Sequence, residues 1–417
     1  MRIRNLAALS VIWLTGGLVL ADDPKPDEKP KARPVSESLI RTFKHPQADA
    51  TISQVQFTAD GRLFTAGYPS GIIQFFNIKT GEEAARLDTP SGYRSQADYA
   101  YPTPDFRTVY VVQIKQINNP NGNPRPISIG QIEKWDVATG KIVETIATHT
   151  PQTGILDGYL SRSGDAIVTV ENTEPAQVQL KPHQTILWDL KTKQSTFLSF
   201  GYSMADFSHN GKWLLVTNFG HNAEKGRMIL FDRKTGKELW NIESEYTNRG
   251  YSWPVFLPDD QHLVALDSEG QINKPAKLKY IETKTGKVIH SIESAKGTTF
   301  MPPTVSPDGT HVVVNKYSGG YTVWNVITNK IVVNKDLPEK NLSLRTVFSH
   351  DGKMMAALES EKVNDQAVIR IYDVPTFREI KEIVCPPGFC HCMAFAPDGK
   401  SLAAGCSASV NLFKIGK

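Results

Sequence analysis

All four cysteines of this chain fall after residue 384, in the run Cys385-Pro-Pro-Gly-Phe-Cys390-His391-Cys392 and at Cys406. Two chemistries suit such a cluster, disulfide cross-linking and metal ligation. The C-x4-C-x-C spacing is not a standard zinc pattern, and the run is not the C-x-x-C-H of covalent haem attachment. A thiolate metal site that recruits His391 is therefore the less favoured alternative. An even count in an exported chain favours disulfides. The Asp398-Gly399 turn folds the last hairpin so that Cys406 comes opposite Cys392, give or take one residue. The expected bonds are Cys392–Cys406 and Cys385–Cys390, each a structural cross-link contributing about 2–4 kcal/mol.

Other chemistry is sparse. The chain has no G-x-S-x-G, H-E-x-x-H, G-x-x-x-x-G-K-[ST] or G-x-G-x-x-G, so the nucleophile elbow, zinc protease and nucleotide-cradle readings fall away. The ten histidines are scattered. His45, His149, His221 and His391 fall in or near loops, whereas His209, His262, His311 and His350 lie near hairpin turns. Lys and Arg number 47 against 43 Asp and Glu, a formal charge of +4. No basic stripe with interleaved aromatics is present, so nucleic acid is not the expected partner.

These residues sit on a repeated framework. Ser306-Pro307-Asp308-Gly309 is a hairpin turn: Pro presets φ, Asp bonds its own backbone and Gly takes positive φ. Similar turns stand at Asp60-Gly61, Asp105-Phe106, Ser163-Gly164, Asn210-Gly211, Asp259-Asp260, Asp351-Gly352 and Asp398-Gly399. An apolar residue followed by a polar one recurs at Phe76-Asn77, Trp135-Asp136, Trp188-Asp189, Phe231-Asp232, Ile281-Glu282, Trp324-Asn325, Tyr372-Asp373 and Phe413-Lys414. Four residues after the first member comes a threonine, Thr80, Thr139, Thr192, Thr235, Thr285, Thr328 or Thr376, in every copy but the last. The period is about 48 residues, which marks a repeat architecture.

The S-P-D-G and A-P-D-G turns, the Trp-Asp pairs at 135–136 and 188–189 and the following T-G-K turns resemble the WD40-like β-propeller family over residues 38–417. The resemblance implies an all-β fold of four-stranded blades packed radially. The Gly-His pair common before the first strand is missing from most copies, so the family's internal hydrogen-bond network is not carried over. Leu39 to Phe43 reads as a fourth strand, and the chain stops after a third strand at Val410 to Ile415. The N-terminal strand is thus expected to complete the C-terminal blade, closing the ring and removing exposed sheet edges. The count is then eight blades, with the commoner seven as the alternative.

Ahead of the domain, residues 1–21 read as an export signal: Arg2 and Arg4, an apolar run from Leu6 to Leu20, then Ala21. Removal takes two arginines and no acid, and the charge falls from +4 to +2. Residues 22–37, rich in Pro and mixed charge, read as a disordered tether. The mature chain is expected in the periplasm or outside the cell, as a monomer with no stable membrane insertion.

The resemblance also implies that the second-to-third-strand and interblade connections emerge on one face. Several of these are long: 113–130, 171–184, 218–227, 267–277 and 359–366. Interblade connections supply Tyr93, Arg94, Tyr246, Arg249, Tyr251 and Trp253, residue types that anchor recognition sites. Tyr251 and Trp253 have a second reading as wedges between blades. The expected function is non-catalytic binding of a protein or peptide on this face, without cofactor. The alternative is a propeller enzyme with its ligand in the central channel, lactonase-like or quinoprotein-like. The stretch from Asp232 to Trp240 resembles the tryptophan-docking motif of eight-bladed quinoprotein dehydrogenases, although Ala85, Glu144, Phe197 and His290 hold the equivalent positions elsewhere.

Overall fold

The structure, a computed structural model, describes residues 33–416 except for 59–61, 69–70, 89–99, 118–126, 149–154, 173–182, 202, 221–223, 248, 272–273, 297, 338–344 and 361–365. The described residues form strands and turns without a helix. The strands make eight antiparallel four-stranded sheets arranged in a ring, an eight-bladed β-propeller. Blades 1 to 7 span residues 51–88, 100–148, 155–200, 203–247, 250–293, 300–335 and 345–387. Blade 8 combines residues 390–414 with the N-terminal strand Leu39–Lys44, which pairs with the strand Ser409–Lys414. The ring therefore closes as the strand count requires, and the expected export signal lies outside the described residues.

The repeated turns form for local reasons. The second residue of each described first-to-second-strand turn has positive φ: Phe106, Gly164, Gly211, Asp260, Gly309, Gly352 and Gly399. Glycine meets that demand without strain in five, and Phe106 and Asp260 carry it in the other two. The threonine offset has an equally local cause. The backbone N–H of Thr139, Thr192, Thr235, Thr328 and Thr376 donates to the carboxylate or amide oxygen of Asp136, Asp189, Asp232, Asn325 and Asp373. This Asx turn hands the third strand to the fourth. At Phe76, Trp135, Phe231, Ile281, Trp324 and Tyr372 the register shifts, adding twist where the large side chain enters the core.

The core is a set of eight apolar seams, one between each pair of neighbouring blades. The seam between blades 8 and 1 joins Phe43, Val410 and Leu412 to Ile52, Leu63 and Phe76, so the closing seam is as apolar as the rest. Trp240 docks blade 4 on blade 5 by donating its indole N–H to the Thr283 carbonyl at 2.8 Å. That contact is structural and occurs beside Gly286, where a Cβ would meet the indole.

Two expectations change. The tether predicted over 22–37 is docked at its end: Arg33 N–H donates to Gln366 Oε1, the Gln366 amide donates to the Arg33 carbonyl, and Ser36 and Val384 exchange two hydrogen bonds. The disulfide joins Cys390 to Cys406, and Cys385 and Cys392 lie outside that bond. A bulge between Cys390 and Cys392 sets Cys390 opposite Cys406 and Cys392 opposite Gly405. One extra residue on the bulged strand is enough to change the partner. The long connection of blade 2 is also partly strand, paired as far out as Ile117 with Ile127.

Candidate functional site

The first strand of each blade lines the central channel, and its inner edge has no ladder partner. Side chains of the preceding first strand bridge several of these edges. The Tyr101 hydroxyl donates to the Gly158 carbonyl. Asp206 Oδ2 accepts the Phe256 N–H at 2.8 Å, and the Met204 sulfur accepts the Trp253 N–H at 3.3 Å. The Thr304 hydroxyl donates to the Thr346 carbonyl, Arg345 Nε to the His391 carbonyl, and the Cys392 thiol to the Ile52 carbonyl. Among the described residues, the channel wall is thus bridged by hydrogen bonds at five of the eight junctions between blades.

Within it lies a cavity of about 450 Å³ over blades 2 to 6, lined chiefly by Tyr101, Asp157, Tyr159, Met204, Trp253 and Pro303. The Asp157 carboxylate accepts the Tyr159 hydroxyl and the Gly158 N–H at 2.9 and 2.8 Å. Trp253 sits at φ 48° within a bulge between Ser252 and Val255. A left-handed non-glycine residue costs roughly 1–3 kcal/mol and persists only where its surroundings hold it. Here the Met204 sulfur accepts the Trp253 N–H, and the Trp253 side chain packs on the core between blades 5 and 6 while also lining the cavity.

Arg249 stacks on the Trp253 ring that lines this cavity. Its guanidinium carbon lies 5.1 Å from the Phe219 ring centroid and 5.4 Å from that of Trp253, within cation–π range of both. Its backbone carbonyl accepts the Gly220 N–H at 3.0 Å. A Cβ at Gly226 would stand 2.0 Å from that carbonyl oxygen, so only glycine allows this approach. Beneath the connection is a buried ionic cluster. Asp267, 0% exposed, accepts the Lys279 ammonium at 2.8 Å, the Ser244 hydroxyl at 2.5 Å and the Glu245 N–H at 3.2 Å. Lys279 also meets Glu245 Oε1 at 2.7 Å and the Tyr251 hydroxyl at 3.3 Å. Lys277 and Lys279 hold the Glu245 carboxyl down to about 2, and Asp267 and Glu245 raise the Lys279 ammonium against the opposing effect of burial. These charges anchor the 244–250 connection that carries Tyr246 and Arg249.

Asp206, on the first strand of blade 4, has a different environment. Burial pushes its carboxyl up to about 6, opposed by Arg162 and by the Phe256 N–H. Arg162 stands 3.7 Å away. A second cavity of about 540 Å³ lies on the opposite, turn-built face between blades 3 and 4. Its Arg233 is already bound by both carboxylate oxygens of Asp165, at 2.6 and 2.9 Å.

Of the residues predicted for the binding face, Arg249 and Trp253 come together at the cavity. Tyr246 is half-buried at the end of the strand Glu238–Thr247. Tyr251 is 1% exposed in the seam between blades 4 and 5, so its wedge reading holds and it leaves the binding face. Tyr93 and Arg94 lie outside the described residues. Tyr101, Asp157, Tyr159, Met204 and Phe219 join the site unforeseen. Tyr101 and Tyr159 each stand four residues before the turn residues Asp105 and Ser163. Counting back from each turn along the first strand was the signal available.

The C-terminal WD40 domain of Sif2, known from a crystal structure, is similar to this chain, with a TM-score of 0.62 and 12% identity. The match covers 90% of this chain and 98% of that domain. At that identity the likeness carries the fold alone. No protein-family model matches the chain, and no curated protein does.

Proposed function

We propose that this WD40-like propeller is an exported, non-catalytic binding module that takes a protein or peptide segment at the channel mouth over blades 2 to 6. The observation that carries the reading is Arg249 held between Phe219 and Trp253 at the edge of a cavity with tyrosine, methionine and proline walls. Rigid aromatics and a pre-oriented arginine supply contact area at little entropy cost, which is how recognition hot spots are built. WD40-type propellers commonly act as protein-interaction scaffolds, which favours a macromolecular ligand. Among the described residues no helix is long and apolar enough to cross a membrane.

Capture from the exported fraction of the native cell tests this. The baits are the wild-type protein and Arg249→Ala/Trp253→Ala, both confirmed folded by circular dichroism. A protein retained by the first bait is purified and titrated calorimetrically against both. Loss of affinity of about tenfold or more in the variant supports the site, as expected on removing a central anchor. Equal binding to both baits places recognition elsewhere. Absence of any partner, with thermal stabilisation by a small metabolite or a quinone, replaces the binding module with a channel enzyme.

A further inference from the structure

The seam between blades 7 and 8 contains three cysteine sulfurs that no binding role uses. Cys385 lies near the end of the strand Glu379–Pro387, Cys390 begins Cys390–Phe395, and Cys406 ends Ser401–Cys406. Their sulfurs all lie within 4.8 Å of one another, and all three side chains are buried. Cys390 and Cys406 form the disulfide, and both belong to blade 8. Cys385, in blade 7, keeps its thiol beside them. The surroundings are apolar: Leu358, Ala367, Ile383 and Met393 share the same core cluster. Gln366 bonds both the Cys385 carbonyl, at 3.3 Å, and the Arg33 carbonyl, at 2.9 Å. The docked N-terminal segment is therefore linked directly to this corner.

We propose that Cys385, Cys390 and Cys406 form one thiol–disulfide centre, in which the bond moves between the within-blade Cys390–Cys406 position and a seam-crossing bond from Cys385 to either partner. In the exchange, Cys385 loses its proton and its thiolate attacks Cys390 Sγ. The Cys385–Cys390 bond forms as Cys390–Cys406 breaks, and the electron pair leaves on Cys406, which takes up a proton. Attack on Cys406 runs the same way with Cys390 leaving. One disulfide and one thiol enter and leave, so no oxidant or reductant is needed. The seam itself controls the rate. Burial pushes the Cys385 thiol up to about 12, with no charged group contributing, so little thiolate forms while the ring is shut. Opening the seam returns the thiol toward its ordinary value of about 8.5 and frees the exchange. A seam-crossing bond would tie blade 7 covalently to the blade that the N-terminal strand completes. Cys392 stands apart, with its thiol directed to the Ile52 carbonyl of blade 1.

Disulfide mapping of the full chain tests this, with free thiols alkylated in acid before digestion. Cys406→Ser and Cys390→Ser are refolded with oxidised glutathione, which accepts the two electrons of bond formation and leaves as two reduced molecules. Cys406→Ser should form Cys385–Cys390, and Cys390→Ser should form Cys385–Cys406. Each should leave Cys392 as the sole alkylated cysteine. Folded variants in which Cys385 is alkylated together with its intended partner overturn the centre, as does any bond that recruits Cys392. If neither variant folds, wild-type protein held in sub-denaturing urea and quenched decides. A peptide linked through Cys385 supports the exchange, and Cys390–Cys406 alone overturns it.

Discussion

The seam between blades 4 and 5 and the seam that closes the ring between blades 8 and 1 perform one task, packing sheet against sheet, with different materials. At the closing seam the chain ends meet. Leu39–Lys44 adds a full strand beside Ser409–Lys414, and Phe43, Ile52, Leu63 and Leu412 fill the gap. At the seam between blades 4 and 5, Tyr251, Phe256 and Leu263 pack in the same way, but Lys279 and Asp267 are buried beneath the connection and Arg249 is presented above it. The closing seam is built to hold. The other holds and also sets the Arg249 guanidinium over the Phe219 and Trp253 rings. Buried ions are a poor source of net stability, because desolvation offsets much of their attraction. Here they bond Ser244 and Glu245, where the chain leaves blade 4 for blade 5.

The sharpest break in this comparison is removal of residues 38–45. The closing seam loses a strand, and the ladder edge of Ser409–Lys414 is exposed. The expected outcome is loss of the cooperative unfolding transition, and an unchanged melting temperature would show that the ring closes without that strand. Next in size is Lys279→Ala. It leaves Asp267 buried and unpaired, at an expected cost of about 3–5 kcal/mol in urea denaturation. A cost below about 1 kcal/mol would mean that water or a neighbouring group replaces the ammonium.

The smallest effect is at Asp206, between the first strands of blades 4 and 5. Its folded-state carboxyl titrates near 6, against 3.8 for the ordinary group. The folded chain thus holds this proton more tightly than the unfolded chain. The carboxyl contributes fully to stability below the unfolded value, and the contribution falls as pH rises to about 6. Asp206→Asn removes the titration. The stability difference between variant and wild type should change by about 2–3 kcal/mol between pH 4 and pH 7 and be flat above that. A difference independent of pH would show that Arg162 fully compensates the buried charge.

What was legible in the chain tracks the range of the interactions. Asp136 and Thr139, or Ser306 and Gly309, are three residues apart and bond one another, so their pattern survives in the sequence whatever the blades pack against. Eight such units, with a stray strand at one end and a missing one at the other, were enough to imply the closed ring. Arg249 and Trp253 were legible as interblade residues of anchoring type. Their meeting with Phe219 was not, because Phe219 lies in a different connection of the neighbouring blade.

The sequence by itself determined the repeat and its turns and favoured eight blades closed by a strand exchange between the two ends, because hydrogen bonds over a few residues and the need to cover open sheet edges leave little choice; the structure settled eight over seven. Only the tertiary structure decided which cysteine meets Cys406, that Tyr251 is fully buried while Trp253 packs on the next seam and also lines the channel cavity, and that residues 33–37 dock on blade 7. Each of these depends on a bulge, a register or a radial packing contact between segments far apart in the chain, and a one-residue shift in any of them exchanges buried for exposed.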